Sequence, residues 1–319
     1  MKKFLVIGNP IEHSLSPEIH NFWLKKHKID AVYEKKKIEE KDLPKIVSQI
    51  KNGEVDGVNI TTPFKTAILP YINDTHDAYA AGVSILSLPK ETYRGTSVEP
   101  KSINTLFKLD NFVLGANTDT HGFFDSLKIF HIDLKNKKAI VLGSGGVVYS
   151  VVFILKALGV SKIYLSNRTL SKAEEIKKIH TNNNNKSIIE IVEWENLEKN
   201  TPNADIIINA TSLGLKKDDV IKINYEKFNK KIFYDIVYNK KENLPIVTDV
   251  FQGTTFLAMG IGNNNTAING AAMLILQAAR SFSIWHGFNP IEKKITNFNN
   301  TANHVFPDFN KENKGMSSD

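Results

Sequence analysis

The chain contains no cysteine. That removes disulfides, thiolate zinc sites, iron–sulfur clusters and a cysteine nucleophile from consideration. Arginine is nearly as scarce: Arg94, Arg168 and Arg280 are the only three among 41 basic residues. Long hydrophobic runs are missing too. The apolar run at residues 151–155 is far short of the roughly 18 residues that a membrane-crossing helix needs. Met1-Lys2-Lys3 followed by Phe4-Leu5-Val6-Ile7 starts like a secretion signal, but the apolar stretch stops at Gly8-Asn9-Pro10. A signal core needs about seven or more apolar residues. The expectation is a soluble, cytoplasmic protein.

Lysine supplies the other 38 basic residues, and asparagine gathers in runs at 182–185 and 263–265. Against 34 Asp and Glu the formal charge is +7. A basic balance can signal nucleic acid or a membrane surface. Here the lysines are interleaved with acids, as in Glu39-Glu40-Lys41-Asp42, which reads as a solvated surface and not as a binding face. No nucleic-acid or membrane partner is expected. A length of 319 residues suggests two domains of ordinary size.

Short apolar runs alternate with helical patterns along the chain. The pattern predicts strands over 3–8, 31–38, 56–61, 138–143, 162–166, 205–209 and 231–237. It predicts helices over 17–27, 43–51, 121–130, 146–158, 170–180 and 268–285. Alternation at this spacing is the mark of parallel sheets with crossover helices, an α/β fold. It restarts near residue 137, where a second domain begins. Beyond residue 288 the chain turns to Asn, Lys and Ser and reads as a tail, disordered at its end.

Residues 141–146, Val-Leu-Gly-Ser-Gly-Gly, join an apolar strand to an apolar helix. Gly143 allows a tight turn, and Gly145 lets backbone N–H groups approach a pyrophosphate at the positive end of the helix. The full dinucleotide pattern wants Gly or Ala at 148, where Val148 stands, so a plain strand–helix turn fits the motif about as well. The next strand ends at Ser166-Asn167-Arg168-Thr169. A site for NAD usually ends that strand with a carboxylate for the ribose 2′-hydroxyl. Arg168 and Lys172 suit a 2′-phosphate instead and favour NADP; an uninvolved, solvent-exposed Arg168 is the competing reading.

Two loops of the first half share one device. In His13-Ser14-Leu15-Ser16-Pro17, Ser16 fits the N-cap and Pro17 the first helical turn. The serines are either cap and filler or a receptor for a carboxylate at a helix N-terminus. In Gly57-Val58-Asn59-Ile60-Thr61-Thr62-Pro63-Phe64-Lys65, Thr62 is the expected cap and Lys65 falls one turn into a helix at the carboxyl end of a strand. Ligands bind at that edge of open parallel sheets, and a cation misplaced at a positive helix end suits acid/base work. In Gly115-Ala116-Asn117-Thr118-Asp119, Asp119 is either an ordinary N-cap or a carboxylate that orients Lys65. Spacing alone does not bring the two together.

Taken in order, Ser14-Leu15-Ser16-Pro17, Asn59 to Lys65, Ile103-Asn104-Thr105-Leu106, Asn117-Thr118-Asp119, Gly143 to Gly146, Asn167-Arg168-Thr169, Asn209-Ala210-Thr211-Ser212, Tyr234 to Tyr238 and Met273 to Gln277 form a series. The series resembles the shikimate dehydrogenase family over residues 3 to about 291. The resemblance implies NADP-dependent, reversible reduction of 3-dehydroshikimate to shikimate on the route to chorismate and aromatic amino acids. It implies two α/β domains: an N-terminal substrate domain over 1–120, completed by a returning C-terminal helix at 265–292, and a Rossmann-like NADP domain over 121–264. Residues 293–319 are left as the tail. Lys65 would be the acid/base and Asp119 its partner. Ser14, Ser16 and Tyr238 would hold the substrate carboxylate, and Thr61, Asn104, Asp119 and Gln277 the ring hydroxyls. Gly143, Ser144, Gly145, Gly146, Asn167, Arg168, Thr169 and Lys172 would hold NADP, with Ile236 and Gly270 near the nicotinamide. No metal is implied, and the assembly would be a monomer or homodimer.

Three features depart from the family pattern. An extra stretch, 83–101, precedes Ser102-Ile103-Asn104-Thr105, and Gly82-Val83-Ser84 competes with it for the place of the family's asparagine. Asn104 is preferred for its hairpin-like spacing to Asp119. Val147-Val148-Tyr149 replaces the usual small residues, which predicts crowding beside the pyrophosphate loop. The tail has no counterpart. The alternatives are a quinate/shikimate dehydrogenase using NAD, or a non-catalytic shikimate- or NADP-binding paralogue.

Overall fold

The computed structural model describes residues 1–73, 101–181, 187–214, 220–238, 246–248, 251–252, 254–291 and 295–306. The described residues divide into two compact units: those of Met1–Ser126 together with those from Met273 to Phe306, and those of Leu127–Ala272. The extra stretch expected at 83–101 lies, but for Lys101, outside the described residues, as does Gly82-Val83-Ser84.

The first unit is built on a five-stranded mixed sheet of order β2-β1-β3-β4-β5. Its strands are β1 (Lys2–Gly8), β2 (Ala31–Lys37), β3 (Gly57–Ile60), β4 (Thr105–Leu109) and β5 (Phe112–Ala116). β1 runs parallel to both β2 and β3, while β4 and β5 form an antiparallel hairpin closing on β3. A central strand is covered on both faces, which is why Phe4-Leu5-Val6-Ile7 is apolar without interruption. Alternate side chains serve different layers. Leu5 and Ile7 join Leu43, Ile46 and Ile50 of helix α2 (Leu43–Lys51). Phe4 instead packs against Trp285. The latter face is aromatic, with Trp23 of α1 (Ser16–Lys26) against Phe282. Gly57 makes the approach possible: a Cβ there would fall 2.3 Å from Trp285 Nε1, which donates to the Leu106 carbonyl at 3.1 Å. A short α3 (Phe64–Ala67) follows β3, and α4 (Asp119–Ile129) follows β5.

The second unit carries a six-stranded, wholly parallel sheet of order β13-β10-β9-β6-β7-β8. It comprises β6 (Lys138–Leu142), β7 (Lys162–Ser166), β8 (Ile189–Ile191), β9 (Ile206–Asn209), β10 (Ile232–Asp235) and β13 (Thr266–Ile268). Helices α5 (Gly146–Ala157) and α6 (Leu170–His180) are its crossovers, and α7 (Thr255–Gly260) follows a small ribbon of β11 (Ile246–Thr248) and β12 (Phe251–Gln252). Chain order reverses between β6 and β9, the switch point at which such sheets bind ligands outside their carboxyl ends.

The structure differs from the sequence expectations toward the C-terminal end and at the limits of the two units. Thr266–Ile268 is a strand pairing in parallel with β10, so α8 (Ala271–His286) starts three residues later than the apolar pattern suggested, with Asn269 Oδ1 accepting from Ala271 N at 3.1 Å. Accordingly the return to the first unit comes at Met273 and not at 265, and the outgoing limit falls inside α4 and not at 120. The expected tail contains α9 (Ile295–Val305). Its asparagines are poor helix formers, but Phe298, Ala302 and Val305 recur on one face and are buried. Trp23 Nε1 of α1 donates to Thr301 Oγ1 at 2.9 Å. Tertiary packing holds this helix where propensity would not. Among the described residues no helix is long and apolar enough to cross a membrane.

The aromatic layer has a consequence for acid stability. His20 is buried, its ring stacked on Tyr33 at 4.2 Å. Burial, with the neighbouring His286, pushes its pKa down to about 3. An unfolded imidazole takes its proton near 6.5. Between these values the unfolded state binds the extra proton, so stability rises with pH and is lost as pH falls through this window. The expected loss from His20 is about 1.4 kcal/mol per pH unit below 6.5. Urea melts at several pH values check this: His20→Phe should show a shallower acid slope than wild type, and identical slopes would refute it.

Candidate active site and cofactor-binding residues

β1 and β3 are parallel neighbours, so the loops after them leave the sheet at one edge. Thr61 N donates to the Ile7 carbonyl at 2.9 Å and Asn9 N to that of Thr62 at 3.1 Å. β4 runs back beside β3 and begins at Thr105 opposite Asn59, which puts Asn104 at the same edge. Ile103 N donates to the Lys65 carbonyl at 2.8 Å, tying the two segments together.

Lys65, Asp119, Asn104 and Gln277 meet here. Lys65 Nζ donates to Asp119 Oδ2 at 2.6 Å. The pair is nearly closed to water, the side chains 16% and 7% exposed. Asn104 Nδ2 donates to Asp119 Oδ1 at 3.0 Å, to Thr118 Oγ1 at 2.9 Å and, longer, to Gln277 Oε1 at 3.3 Å. Thr118 N donates to Asn104 Oδ1 at 2.7 Å, and Asp119 N to Asn117 Oδ1 at 3.0 Å. Asp119 opens α4, where a negative charge meets the positive helix end. Its two oxygens are thus held from two sides, and the ammonium, with three N–H groups, keeps donors for a ligand oxygen.

The support beneath this cluster was not picked out in the sequence. Asn59, buried in β3, donates through Nδ2 to the Asn104 carbonyl, Thr105 Oγ1 and Ser281 Oγ at 2.9–3.0 Å, and accepts from Tyr33 Oη at 2.7 Å. Ser281 Oγ also lies 3.1 Å from Thr118 Oγ1. The available signal was an amide inside the apolar run Gly57-Val58-Asn59-Ile60, since a buried polar group must find partners.

The caps differ from expectation. Ser16 is the first residue of α1, Leu15 holds the N-cap position, and no side chain caps the helix. Ser14 Oγ instead accepts from Ser16 N at 3.4 Å. Thr62 does not cap α3 either: that helix begins at Phe64, whose N–H turns back to the Thr61 carbonyl at 3.0 Å. Lys65 therefore sits in a helix of a single turn, and its place is set by Asp119 more than by a helix end. Ser14 and Thr61 are half-buried and Ser16 buried.

In the second unit the glycine loop joins β6 to α5 at the switch point. Gly143 adopts φ +111°, and a Cβ there would lie 2.8 Å from the Ala210 carbonyl oxygen, so the fold itself requires glycine. Gly145 is exposed at φ −69°, and a Cβ there would meet nothing within 4 Å. No side chain caps α5. An uncapped helix start with an open glycine ahead of it suits a pyrophosphate. Val148, where crowding was expected, is fully buried, and a Cβ at Gly145 three residues before it would have open space. Past β7, Asn167 Nδ2 donates to the Thr169 carbonyl at 2.9 Å, and Arg168, Thr169 and Lys172 are exposed. The strand ends with no carboxylate, as a 2′-phosphate requires. Ser144 is half-buried in the glycine loop, Tyr238 half-buried three residues past β10. Gly270 is pressed against the preceding turn: a Cβ there would fall 2.1 Å from the Ile236 carbonyl oxygen. Among the described residues no group of His, Asp and Glu could hold a metal ion.

Residues 6–84 match a family model described as the shikimate dehydrogenase substrate binding domain, and residues 126–238 one described as shikimate / quinate 5-dehydrogenase. The chain is 42% identical to a shikimate dehydrogenase (NADP(+)) of Pelagibacter ubique, over 91% of this chain and 95% of that one. A crystal structure of shikimate dehydrogenase from Aquifex aeolicus superposes with a TM-score of 0.71 at 29% identity, covering 91% of this chain and 94% of that one. The Thermus thermophilus enzyme in complex with NADP(H) and shikimate superposes with a TM-score of 0.72 at 25% identity, covering 96% of this chain and all of that one.

Proposed function

The chain belongs to the shikimate dehydrogenase family, and from that premise we propose how its residues divide the work. It is an NADP-dependent oxidoreductase that interconverts 3-dehydroshikimate and shikimate, on the route to chorismate and the aromatic amino acids. The first unit binds substrate and the second NADP. When bound, NADPH supplies the hydride that reduces the ketone carbon.

Lys65 gives its proton to the oxygen as that carbon is reduced, and takes it back in the oxidation. The observation that carries this assignment is the 2.6 Å contact between Lys65 Nζ and Asp119 Oδ2. The carboxylate keeps the ammonium aimed, and Asn104 keeps the carboxylate aimed. General acid catalysis by a positioned group is worth about 10²–10⁴-fold. Asn104, Thr61, Gln277 and Asp119 hold the ring hydroxyls. Ser14, Ser16 and Tyr238 hold the carboxylate; Ser14 Oγ accepts from Ser16 N, which leaves its O–H to donate.

The Gly143 to Gly146 loop and the start of α5 would hold the cofactor's pyrophosphate. Asn167, Arg168, Thr169 and Lys172 take the adenosine ribose and its 2′-phosphate. Ile236 and Gly270 would hold the cofactor's nicotinamide end. Steady-state oxidation of shikimate and of quinate, each with NADP and with NAD, tests the reading. Shikimate with NADP should give the highest kcat/KM, and Arg168→Ala should raise the KM for NADP while leaving that for NAD unchanged. A tenfold preference for NAD would overturn the assignment of Arg168 and Lys172.

A further inference from the structure

One buried carboxylate stands outside these roles. Asp235 closes β10 in the second unit and is completely buried. Three donors reach it from three segments. Asn209 Nδ2, at the end of β9, donates to Oδ1 at 3.0 Å, and Val237 N, in the turn beyond β10, donates to the same oxygen at 3.0 Å. Thr254 Oγ1 donates to Oδ2. Both outer partners are themselves fixed. Asn209 Oδ1 accepts from Thr211 N and Oγ1 at 3.0 and 2.7 Å. Thr254 is the N-cap of α7, its hydroxyl accepting from Leu257 N.

Burial pushes the Asp235 carboxyl up to about 7, only partly offset by these donors. An acid is an expensive residue to bury. What it brings that an amide does not is acceptor capacity on both oxygens, matched here by donors on both. The turn it ties down is pinned from its other side as well: Gly270 N donates to the Val237 carbonyl at 3.2 Å, and the Ile236 carbonyl leaves no room for a Cβ at 270.

We propose that Asp235 is a positioning residue for turnover: its carboxylate fixes the 236–238 turn, so that Ile236 and Tyr238 meet cofactor and substrate in one geometry. The proposal rests on the roles given above to Ile236 and Tyr238. It acts through the turn and touches no ligand. Asp235 makes no direct hydrogen bond to the glycine loop after β6, where the pyrophosphate would sit, so turnover should respond more than cofactor affinity.

The test compares Asp235→Asn, Tyr238→Phe and the double variant by kcat, by KM for shikimate, and by the Kd of NADPH from its own fluorescence in the absence of substrate. The asparagine keeps the shape but turns an NH₂ toward a donor. Tyr238→Phe should raise KM about tenfold, the worth of one hydrogen bond to a charged group. Asp235→Asn should lower kcat/KM about tenfold, through both kcat and KM, since a small misplacement at a reacting centre is costly. The NADPH Kd should stay within about threefold. The double variant should show a KM no worse than about the larger single effect, because the two residues act through one turn. A raised KM in Tyr238→Phe beside unchanged kcat and KM in Asp235→Asn overturns the proposal, as does full additivity. If Tyr238→Phe leaves KM unchanged, the reading of Tyr238 falls instead, and Asp235 is then judged by kcat alone. Should Asp235→Asn fail to fold, Thr254→Val removes one donor from the far side and must show the same kcat and KM changes in smaller measure; its absence of effect overturns the proposal equally.

Discussion

Lys65→Ala is expected to lower kcat by about 10²–10⁴-fold, the range that a positioned general acid supplies. KM for shikimate should change far less, and the NADPH Kd not at all. The expectation follows from how Lys65 is held. Its ammonium is nearly closed to water and rests 2.6 Å from Asp119 Oδ2, while Asp119 Oδ1 is engaged by Asn104. Truncation leaves Asp119 with Asn104 and its place at the start of α4, so the fold should survive; a melting curve checks that. Asp119→Asn should lose less than Lys65→Ala, because the amine remains and only its aim is lost. Lys65→Arg should not restore the rate: a planar guanidinium does not give up its proton. The same variants separate an enzyme from a protein that merely binds these ligands. A kcat for Lys65→Ala within threefold of wild type would remove Lys65 from the reaction.

The sequence carried four strands of the second unit's parallel sheet, β6, β7, β9 and β10, because each is an apolar run followed by a helical pattern or a turn; the three-residue edge strands β8 and β13 are too short to show such a pattern. It carried Lys65 and Asp119 as members of a series, though not their contact, which depends on β4 and β5 folding back on β3. What escaped was whatever depends on distant partners. Asn59 reads as one polar residue in an apolar strand, and its partner Ser281 lies 222 positions away. Asp235 likewise ends an apolar strand with nothing nearby to mark its three donors. α9 escaped because composition and packing disagree: its asparagines argue for a tail, and its buried face of Phe298, Ala302 and Val305 holds it to the first unit. The caps failed for a local reason. Ser16 and Thr62 have the residue types and the following proline of an N-cap, yet α1 starts one residue early and α3 one residue late for either hydroxyl to serve.

The two glycines of the cofactor loop should respond in opposite ways to one added methyl group. Gly145→Ala is expected to leave the melting temperature of the free protein where it is, because φ is −69° and a Cβ meets nothing within 4 Å. Alanine also costs less backbone entropy than glycine. If that open space is where the pyrophosphate approaches the chain, the methyl group blocks it. Losing one hydrogen bond to a charged group costs about 1.5–3 kcal/mol, so NADPH should bind about 10- to 100-fold more weakly. Gly143→Ala should do the reverse. There φ is +111° and the Cβ would lie 2.8 Å from the Ala210 carbonyl oxygen, so the backbone of the β9 loop must move. Overpacking of this kind costs about 1–3 kcal/mol, with backbone strain in addition, and the free protein should melt earlier. Fluorescence titration with NADPH and thermal melts without ligand read the two effects independently. Unchanged NADPH affinity in Gly145→Ala would mean that the open glycine serves neither the fold nor the cofactor, and the pyrophosphate would have to be sought elsewhere along the carboxyl edge of the second sheet.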